Sequence, residues 1–238
     1  MLIKAHTQRH EAATQKYFVQ FRHAPREYRV IMLGRPYDWS LSNLAPDDPH
    51  RDAEKVARIH DTLLGEGIYE AYATNVQQFN GKCVSPQRLN IPVPLGEKVT
   101  LFTDKALYAE GTYLVPGEKR AVLFSPAGCA IALAAYHDTV IVVHVGWESV
   151  QNGLCEDIVH SLNPREHDVG QVQMHIIGAI RPENYEGRDL VGMFVQRAKQ
   201  VGIDERNINL PDAYLPEGFW HTRDGVGGNK KRNLVVVY

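Results

Sequence analysis

Residues 128–147 read GCAIALAAYHDTVIVVHVGW and hold two apolar runs separated by the two-residue break His137-Asp138. Two apolar runs around such a break are typical of a tight β-hairpin. The pattern therefore predicts strands over 130–136 and 139–144, with the chain turning back on itself between them. This hairpin would carry Cys129 near one end and His144 near the other.

The predicted hairpin brings one thiol close to one imidazole. In a two-residue antiparallel hairpin Ile131 lies opposite His144, and Cys129 lies one pleat away on the same face. An imidazole can deprotonate a neighbouring thiol to a nucleophile, and the same two side chains can bind zinc. A cysteine beside an apolar strand is more often a small buried hydrophobe, so the residues themselves leave all three interpretations open.

The remaining chain alternates between helical and extended patterns. Such alternation predicts an α/β fold, a single layered domain over 1–238 with mixed β-sheets flanked by helices. The clearest helix is predicted where Asp47 or Asp48 provides a cap and apolar residues recur at helical spacing. Helices are predicted over 8–21, 49–64, 147–162 and 190–201, and further strands over 98–103, 121–125, 171–177 and 233–238.

Composition narrows the functional classes. Of 238 residues, 44% are hydrophobic and 23% charged, and the net charge is -2, so we expect neither disorder nor a nucleic-acid partner. The three cysteines form no CxxC pair, which is typical of a reducing compartment, and we expect a cytoplasmic protein. No apolar stretch has the length of a membrane span, and no pattern indicates an oligomeric state.

Further short motifs flank the hairpin, and their order resembles that of the laccase-domain family, also called polyphenol-oxidase-like, peptidoglycan-editing-factor or YfiH-type proteins. The resemblance runs from about residue 42 to residue 238 and leaves residues 1–40 as a divergent part. The motifs are Ser42-Asn43-Leu44, Gln78-Phe79-Asn80-Gly81, Gly128-Cys129, His144-Val145-Gly146-Trp147, Gly178-Ala179-Ile180, Asn184-Tyr185-Glu186 and the segment 219–225.

The resemblance implies a layered α/β fold and a pocket in which two histidines and one cysteine bind a metal, usually zinc. It also implies activity on purine nucleosides, by phosphorolysis or deamination, beside a disputed oxidase activity. Only Cys129 and His144 match the metal-binding motif, and they are the expected catalytic residues. The expected substrate-binding residues are Asn80, Trp147, His221 and Arg223.

The pocket departs from the family at its first metal ligand. Asn80 stands where the family has histidine, Gly128 replaces an aspartate, and Glu148 replaces an arginine. Because a neutral amide is a poor zinc ligand, we expect zinc binding to be weakened unless Cys83 supplies the third ligand.

A second resemblance is to toxin deamidases of the cytotoxic-necrotizing-factor type, which use a Gly-Cys nucleophile and a later histidine. Gly128-Cys129 with His144 is similar to that arrangement. Three hypotheses follow: an enzyme with an altered pocket acting on a purine nucleoside or a similar nitrogen-bearing small molecule, a metal-independent thiol hydrolase or deamidase, or a catalytically silent relative that binds a ligand or partner.

Overall fold

Two β-sheets form the centre of the molecule. The computed structural model describes residues 12–22, 24, 26–74, 83–84 (backbone only), 88–104, 109–114, 120–184, 187–210, 212–215, 217–219 and 231–238. Its strands are β1 (Thr14–Gln20), β2 (Glu27–Leu33), β3 (Glu70–Ala73), β4 (Cys83–Val84), β5 (Ile91–Pro94), β6 (Thr100–Thr103), β7 (Gly111–Tyr113), β8 (Arg120–Phe124), β9 (Ala130–Tyr136), β10 (Thr139–Val145), β11 (Gln173–Ile177), β12 (Ile208–Asn209) and β13 (Leu234–Val237).

Both sheets are mixed, as the α/β interpretation predicts. In the described part of the chain, one sheet has the order β1-β2-β13-β8-β3-β6-β5 and the other β12-β11-β9-β10-β7-β4. Strand β3 runs parallel to β6 and β8, while β9 and β10 are antiparallel. The predicted strand positions around residues 98–103, 121–125, 130–136 and 139–144 are confirmed to within two residues at each end.

The sheets pack face to face, and helices cover their outer faces. Along β9, Ile131 and Leu133 enter the core between the sheets, while Ala132 and Ala134 enter the core beneath the helices. These small alanines let helices approach the sheet closely. On the other face, each large apolar side chain buried between the sheets contributes about 1.5–3 kcal/mol to the stability of the fold. The order of layers is therefore helix, sheet, sheet, helix.

Four helices cover the outer faces of the described structure. Helix α1 (Ala53–Gly65) lies on the seven-stranded sheet, whereas α2 (Trp147–Gln151), α3 (Leu154–Leu162) and α4 (Leu190–Gln200) lie on the six-stranded sheet. The expected start of α1 near 49 is too early: Asp52 is its cap and accepts a hydrogen bond from the Lys55 backbone N at 2.9 Å.

The predicted single helix over 147–162 is wrong in one respect, because it is two helices. Asn152 and Gly153 separate α2 from α3, and Gly153 has a φ of 97°, which a continuous helix does not allow. The second apolar stripe then restarts at Leu154. A short 3-10 helix, Glu166–Gln171, likewise delays the strand predicted from residue 171, which begins at Gln173.

The predicted helix over 8–21 is also wrong, because its described part forms strand β1. Tyr17, Val19 and Phe21 are buried and alternate with residues such as Phe18, which is 59% exposed. Tyr17 and Phe21 are four residues apart, a spacing that suits one helix face and equally well one face of a strand. Pairing of Tyr17 with Val30 on β2 decides in favour of the strand.

One end of the sandwich gathers several strand ends. Leu33 pairs with Leu234, and Val235 pairs with Phe124, so β2 ends, β13 begins and β8 ends at the same edge. Residues 125–129 then cross from β8 to the start of β9, which brings that edge next to the hairpin's open end. No helix in the described part of the chain is long and apolar enough to cross a lipid bilayer.

Candidate active site

The β9–β10 hairpin brings Cys129 and His144 together. The predicted register is confirmed: Ile131 pairs with His144, and Ala130 pairs with Val145. Alternation along the two strands directs His144 and Cys129 toward the space between the sheets, like Ile131. The thiol of Cys129 hydrogen-bonds the imidazole of His144 and is partly exposed, whereas His144 is 6% exposed.

A buried carboxylate completes the arrangement. The His144 Nδ1 atom lies 2.8 Å from Oε2 of Glu110, whose side chain is fully buried, and the Ser149 hydroxyl donates to Glu110 Oε1 at 2.8 Å. The His144 backbone N also donates to the Glu110 carbonyl at 2.7 Å. Because Glu110 engages Nδ1, the ring nitrogen left for the thiol of Cys129 is Nε2. Together these three residues form a Cys129–His144–Glu110 chain.

The neighbouring charges favour the protonated imidazole. Burial alone lowers the pKa of His144, but the charge and hydrogen bond of Cys129, followed by the hydrogen bond and charge of Glu110, outweigh it and raise that pKa to about 10. A buried cation is tolerated only when it is paired and hydrogen-bonded, as His144 is on both sides. The site therefore favours a protonated His144 between Cys129 and Glu110.

Glycines make room for this chain of side chains. A Cβ atom on Gly146 would lie 3.2 Å from both the His144 Cε1 and the Ser149 Oγ, which is closer than normal packing. A Cβ atom on Gly111, next to Glu110, would lie 2.5 Å from the Val142 carbonyl oxygen. Both glycines are therefore needed where they stand, one beside the imidazole and one beside the carboxylate.

Sequence reasoning missed Glu110 and Ser149. Glu110 lies 34 residues before His144 and precedes the three-residue strand β7, so no periodic pattern marks it. The one available signal was a carboxylate between Ala109 and a glycine in an apolar stretch. Ser149 occupies the first turn of α2, where a serine is usually interpreted as a helix-start residue.

The other predicted site residues lie elsewhere or outside the described residues. Trp147 begins α2, packs partly against the core beneath the helices, and has the Arg188 guanidinium 5.6 Å from its ring centroid. Its substrate-binding role stays a prediction. Asn80, His221 and Arg223 lie outside the described residues.

Cys83 is described through its backbone alone. It belongs to β4, where it pairs with Gly111, which in turn pairs with Val143. This register row is adjacent to the row of His144. The side chain of Cys83 lies outside the described residues, so its proposed role as a metal ligand stays a prediction.

The described residues supply two of the donors that zinc needs. Sγ of Cys129 and Nε2 of His144 are suitable ligands, and a carboxylate on the far nitrogen of a histidine is a common feature around zinc. Among the described residues no group of three His, Cys, Asp or Glu side chains is arranged to hold a metal ion. Glu110 already hydrogen-bonds His144 Nδ1 and the Ser149 hydroxyl, so it is not available as a third ligand. The described residues therefore do not complete a zinc site.

Comparison with solved structures establishes the fold. The chain superposes on the Neisseria meningitidis protein NMB0706 of the family model DUF152 with a TM-score of 0.61 and 16% identity, over 94% of this chain and 98% of that one. It also superposes on Bacillus licheniformis YfiH with a TM-score of 0.60 and 15% identity, over 88% of this chain and 92% of that one. For YlmD from Geobacillus stearothermophilus the TM-score is 0.58 and the identity 13%, over 88% of this chain and 91% of that one.

These neighbours are proteins of the laccase-domain family, so the fold expected from the motifs is confirmed. The chain has the laccase-domain, or YfiH-type, fold, with two mixed sheets flanked by helices. No protein-family model matches the sequence, and no curated protein matches it. Sequence divergence at this level makes the site geometry the main source of functional inference.

Proposed function

We propose that the protein is a thiol-dependent enzyme that cleaves a C–N bond, with Cys129 as nucleophile and His144 as general acid and base. The observation that carries the proposal is the Glu110–His144–Cys129 chain, in which a fully buried carboxylate binds Nδ1 and leaves the other ring nitrogen to the thiol. A nucleophile, a base and a group that orients the base are the recurring requirements of covalent catalysis.

The reaction follows from this arrangement. The Cys129 thiolate attacks the carbon of an amide or amidine, the C–N bond breaks, and the His144 imidazolium donates its proton to the leaving nitrogen, which departs as ammonia. Water then attacks the resulting thioester or thioimidate while His144 accepts its proton, and the C–S bond breaks to release the acid or oxo product and to restore the thiolate and the imidazolium. Glu110 is a positioning residue, because it binds Nδ1 and fixes the ring.

A purine nucleoside or a similar nitrogen-bearing small molecule is the substrate class that we propose. The amino-substituted carbon of an aminopurine is an amidine carbon, which suits attack by a thiolate. The motif resemblance to the laccase-domain family supports this class, whereas the dyad of Cys129 and His144 supports the thiol chemistry without a metal. The two lines of support meet in a deamination.

Release of ammonia from aminopurine nucleosides and simple amides, measured in the presence of a chelator, tests the proposal. We expect Cys129→Ala to abolish release and Glu110→Gln to lower it about 10-fold or more, because a misoriented base loses much of its catalytic effect. Cys155→Ala is the matched control and should retain activity. Release that persists in Cys129→Ala, or that requires added zinc, contradicts the proposal.

A further inference from the structure

A polar cavity opens at the same end of the sandwich as the Cys129–His144–Glu110 chain. Its volume is about 510 Å³, which is large enough for a small-molecule group. The segment after β2, the end of β8 and the residues before β13 supply its walls. Its polar lining consists of Asp38, Ser40, Ser42, Ser125, Lys231 and Arg232.

A buried cation supports one wall of this cavity. Lys55 on α1 is only 4% exposed, and its Nζ donates to the Ser40 hydroxyl at 3.0 Å. The Ser40 hydroxyl also lies 3.1 Å from the Ser42 hydroxyl. Holding an ammonium group out of water costs free energy, which is most easily offset by nearby negative charge. Lys55 therefore adds a fixed positive potential directly behind the hydroxyls of the wall.

Asp38, the one carboxylate among the described lining residues, is already engaged. Asp38 accepts hydrogen bonds from the Ser40 backbone N at 3.1 Å, the Ser40 hydroxyl at 2.9 Å and the Arg232 backbone N at 3.0 Å. These contacts hold two walls of the cavity together. Among the described residues, cationic Lys55, Lys231 and Arg232 outnumber Asp38, so this part of the cavity has an excess of positive charge, and the Ser125 hydroxyl adds a donor. Such a combination suits a phosphate group.

The short chain between Ser125 and Cys129 limits how far the cavity can lie from the nucleophile. Ser125 lines it, and four residues later the chain reaches Cys129, so their Cα atoms can be at most about 14 Å apart. Ser125 follows a strand of one sheet and Cys129 precedes a strand of the other, and packed sheets are about 10 Å apart. The chain therefore allows a group bound beside Ser125 to lie within about the length of a sugar and part of a base from Cys129.

We propose that this cavity binds the phosphate ester of a substrate whose nitrogen-bearing group reaches Cys129, so that the preferred substrates are phosphorylated nucleoside-like molecules. The part of the proposal that concerns the substrate rests on the proposed function, whereas binding of the phosphate group does not. Arg232 and Lys231 would contact the phosphate oxygens, Ser125 would donate from the side of the thiol, and Lys55 would act through Ser40.

Calorimetric titration at constant ionic strength tests the inference with three probes: adenosine, adenosine 5′-monophosphate and inorganic phosphate. We expect the monophosphate to bind at least about 10-fold more tightly than adenosine, because hydrogen bonds to a charged group are worth more than neutral ones. Arg232→Gln should weaken binding of the monophosphate about 10-fold and leave adenosine unchanged. Ser125→Ala should have a smaller effect in the same direction.

Lys199→Gln is the matched control, since Lys199 is a surface cation on α4 that is paired with Glu205. It should leave all three affinities unchanged. Equal binding of adenosine and its monophosphate, or an Arg232→Gln variant that binds the monophosphate normally, overturns the inference. Inorganic phosphate that binds as tightly as the monophosphate also overturns it, because the cavity would then take a free ion. Phosphate-ester binding with no thiol-dependent ammonia release contradicts the proposed function alone.

Discussion

Two cysteines in this fold differ in almost every property that decides thiol chemistry. Cys129 lies at the mouth between the sheets, is partly exposed and hydrogen-bonds the imidazole of His144. Cys155 on α3 is fully buried, and its Sγ lies 3.7 Å from the Phe194 carbonyl oxygen. Burial, followed by the charge of Glu156, raises the pKa of Cys155 to about 12, although the charge of Arg197 opposes the shift.

The surroundings of a thiol, and not the residue type, make it reactive. Cys155 is one apolar side chain among many beneath the helices, so its proton is held firmly. Cys129 has a cationic neighbour that Glu110 keeps in place. The imidazolium of His144 is therefore the group that distinguishes the two thiols.

The largest expected effect is on the reactivity of Cys129 when its cationic neighbour is removed. His144→Gln should lower the rate of alkylation of Cys129 by iodoacetamide at neutral pH about 100-fold, because the thiolate loses its counter-ion. Peptide mapping by mass spectrometry measures the rate at each cysteine. The slow labelling of Cys155 should be the same in both proteins, and an unchanged rate at Cys129 would show that His144 does not activate it.

The raised pKa of His144 should also make the free energy of unfolding depend on pH. A folded pKa raised from 6.5 to about 10 means that the contribution of His144 to stability is fully present below pH 6.5 and is lost as the pH rises toward 10. Urea unfolding should therefore show the natural protein's advantage over His144→Gln shrinking by about 2 kcal/mol or more between pH 6 and pH 10. An advantage that grows with pH would have the wrong sign for this account.

The affinity for zinc tests whether Cys129 and His144 can still act as metal ligands. Because Asn80 stands where the family has histidine, we expect weak zinc binding by the natural protein and binding at least about 10-fold tighter in Asn80→His. Competition with a coloured chelator measures both affinities. Cys83→Ala should weaken zinc binding only if Cys83 is the substitute ligand. Zinc binding that is both tight in the natural protein and unchanged in Cys83→Ala would contradict the expected weakening.

The smallest expected effect is on the space around the imidazole. In Gly146→Ala the new methyl group would crowd His144 and Ser149, so the free energy of unfolding should fall by about 1–2 kcal/mol. Gly65→Ala is the matched control, because a Cβ atom there has nothing within 4 Å. Chemical denaturation of both variants checks the prediction, which fails if the two variants are equally stable.

The hairpin and its register could be predicted because each depends on neighbouring residues. Two apolar runs and the break at His137-Asp138 determine which residues face each other, and the pairing of Ile131 with His144 followed directly. Strand β1 could not be predicted in the same way, since the spacing of Tyr17 and Phe21 fits two secondary structures. Only its partner β2, which had no prediction, distinguishes them.

In the candidate site, too, the residues that depend on local sequence could be predicted and those that depend on distant segments could not. Cys129 and His144 belong to one hairpin, so local pattern and motif order predicted their proximity. Glu110 reaches His144 through the pairing of β7 with β10, a contact between distant segments that no local pattern encodes. The cavity near Ser125 and Arg232 likewise depends on three strand ends meeting at one edge. Long-range pairing is the part of this fold that the amino-acid pattern leaves open.

Alkylation of the two thiols of the natural protein, followed side by side at neutral pH with a chelator present, tests the central claim most directly. His144, which Glu110 holds in place, lies beside Cys129, whereas burial raises the pKa of Cys155 to about 12. Cys129 should therefore react at least about 1,000-fold faster than Cys155, and a Cys129 rate no faster than that of Cys155 would contradict the account.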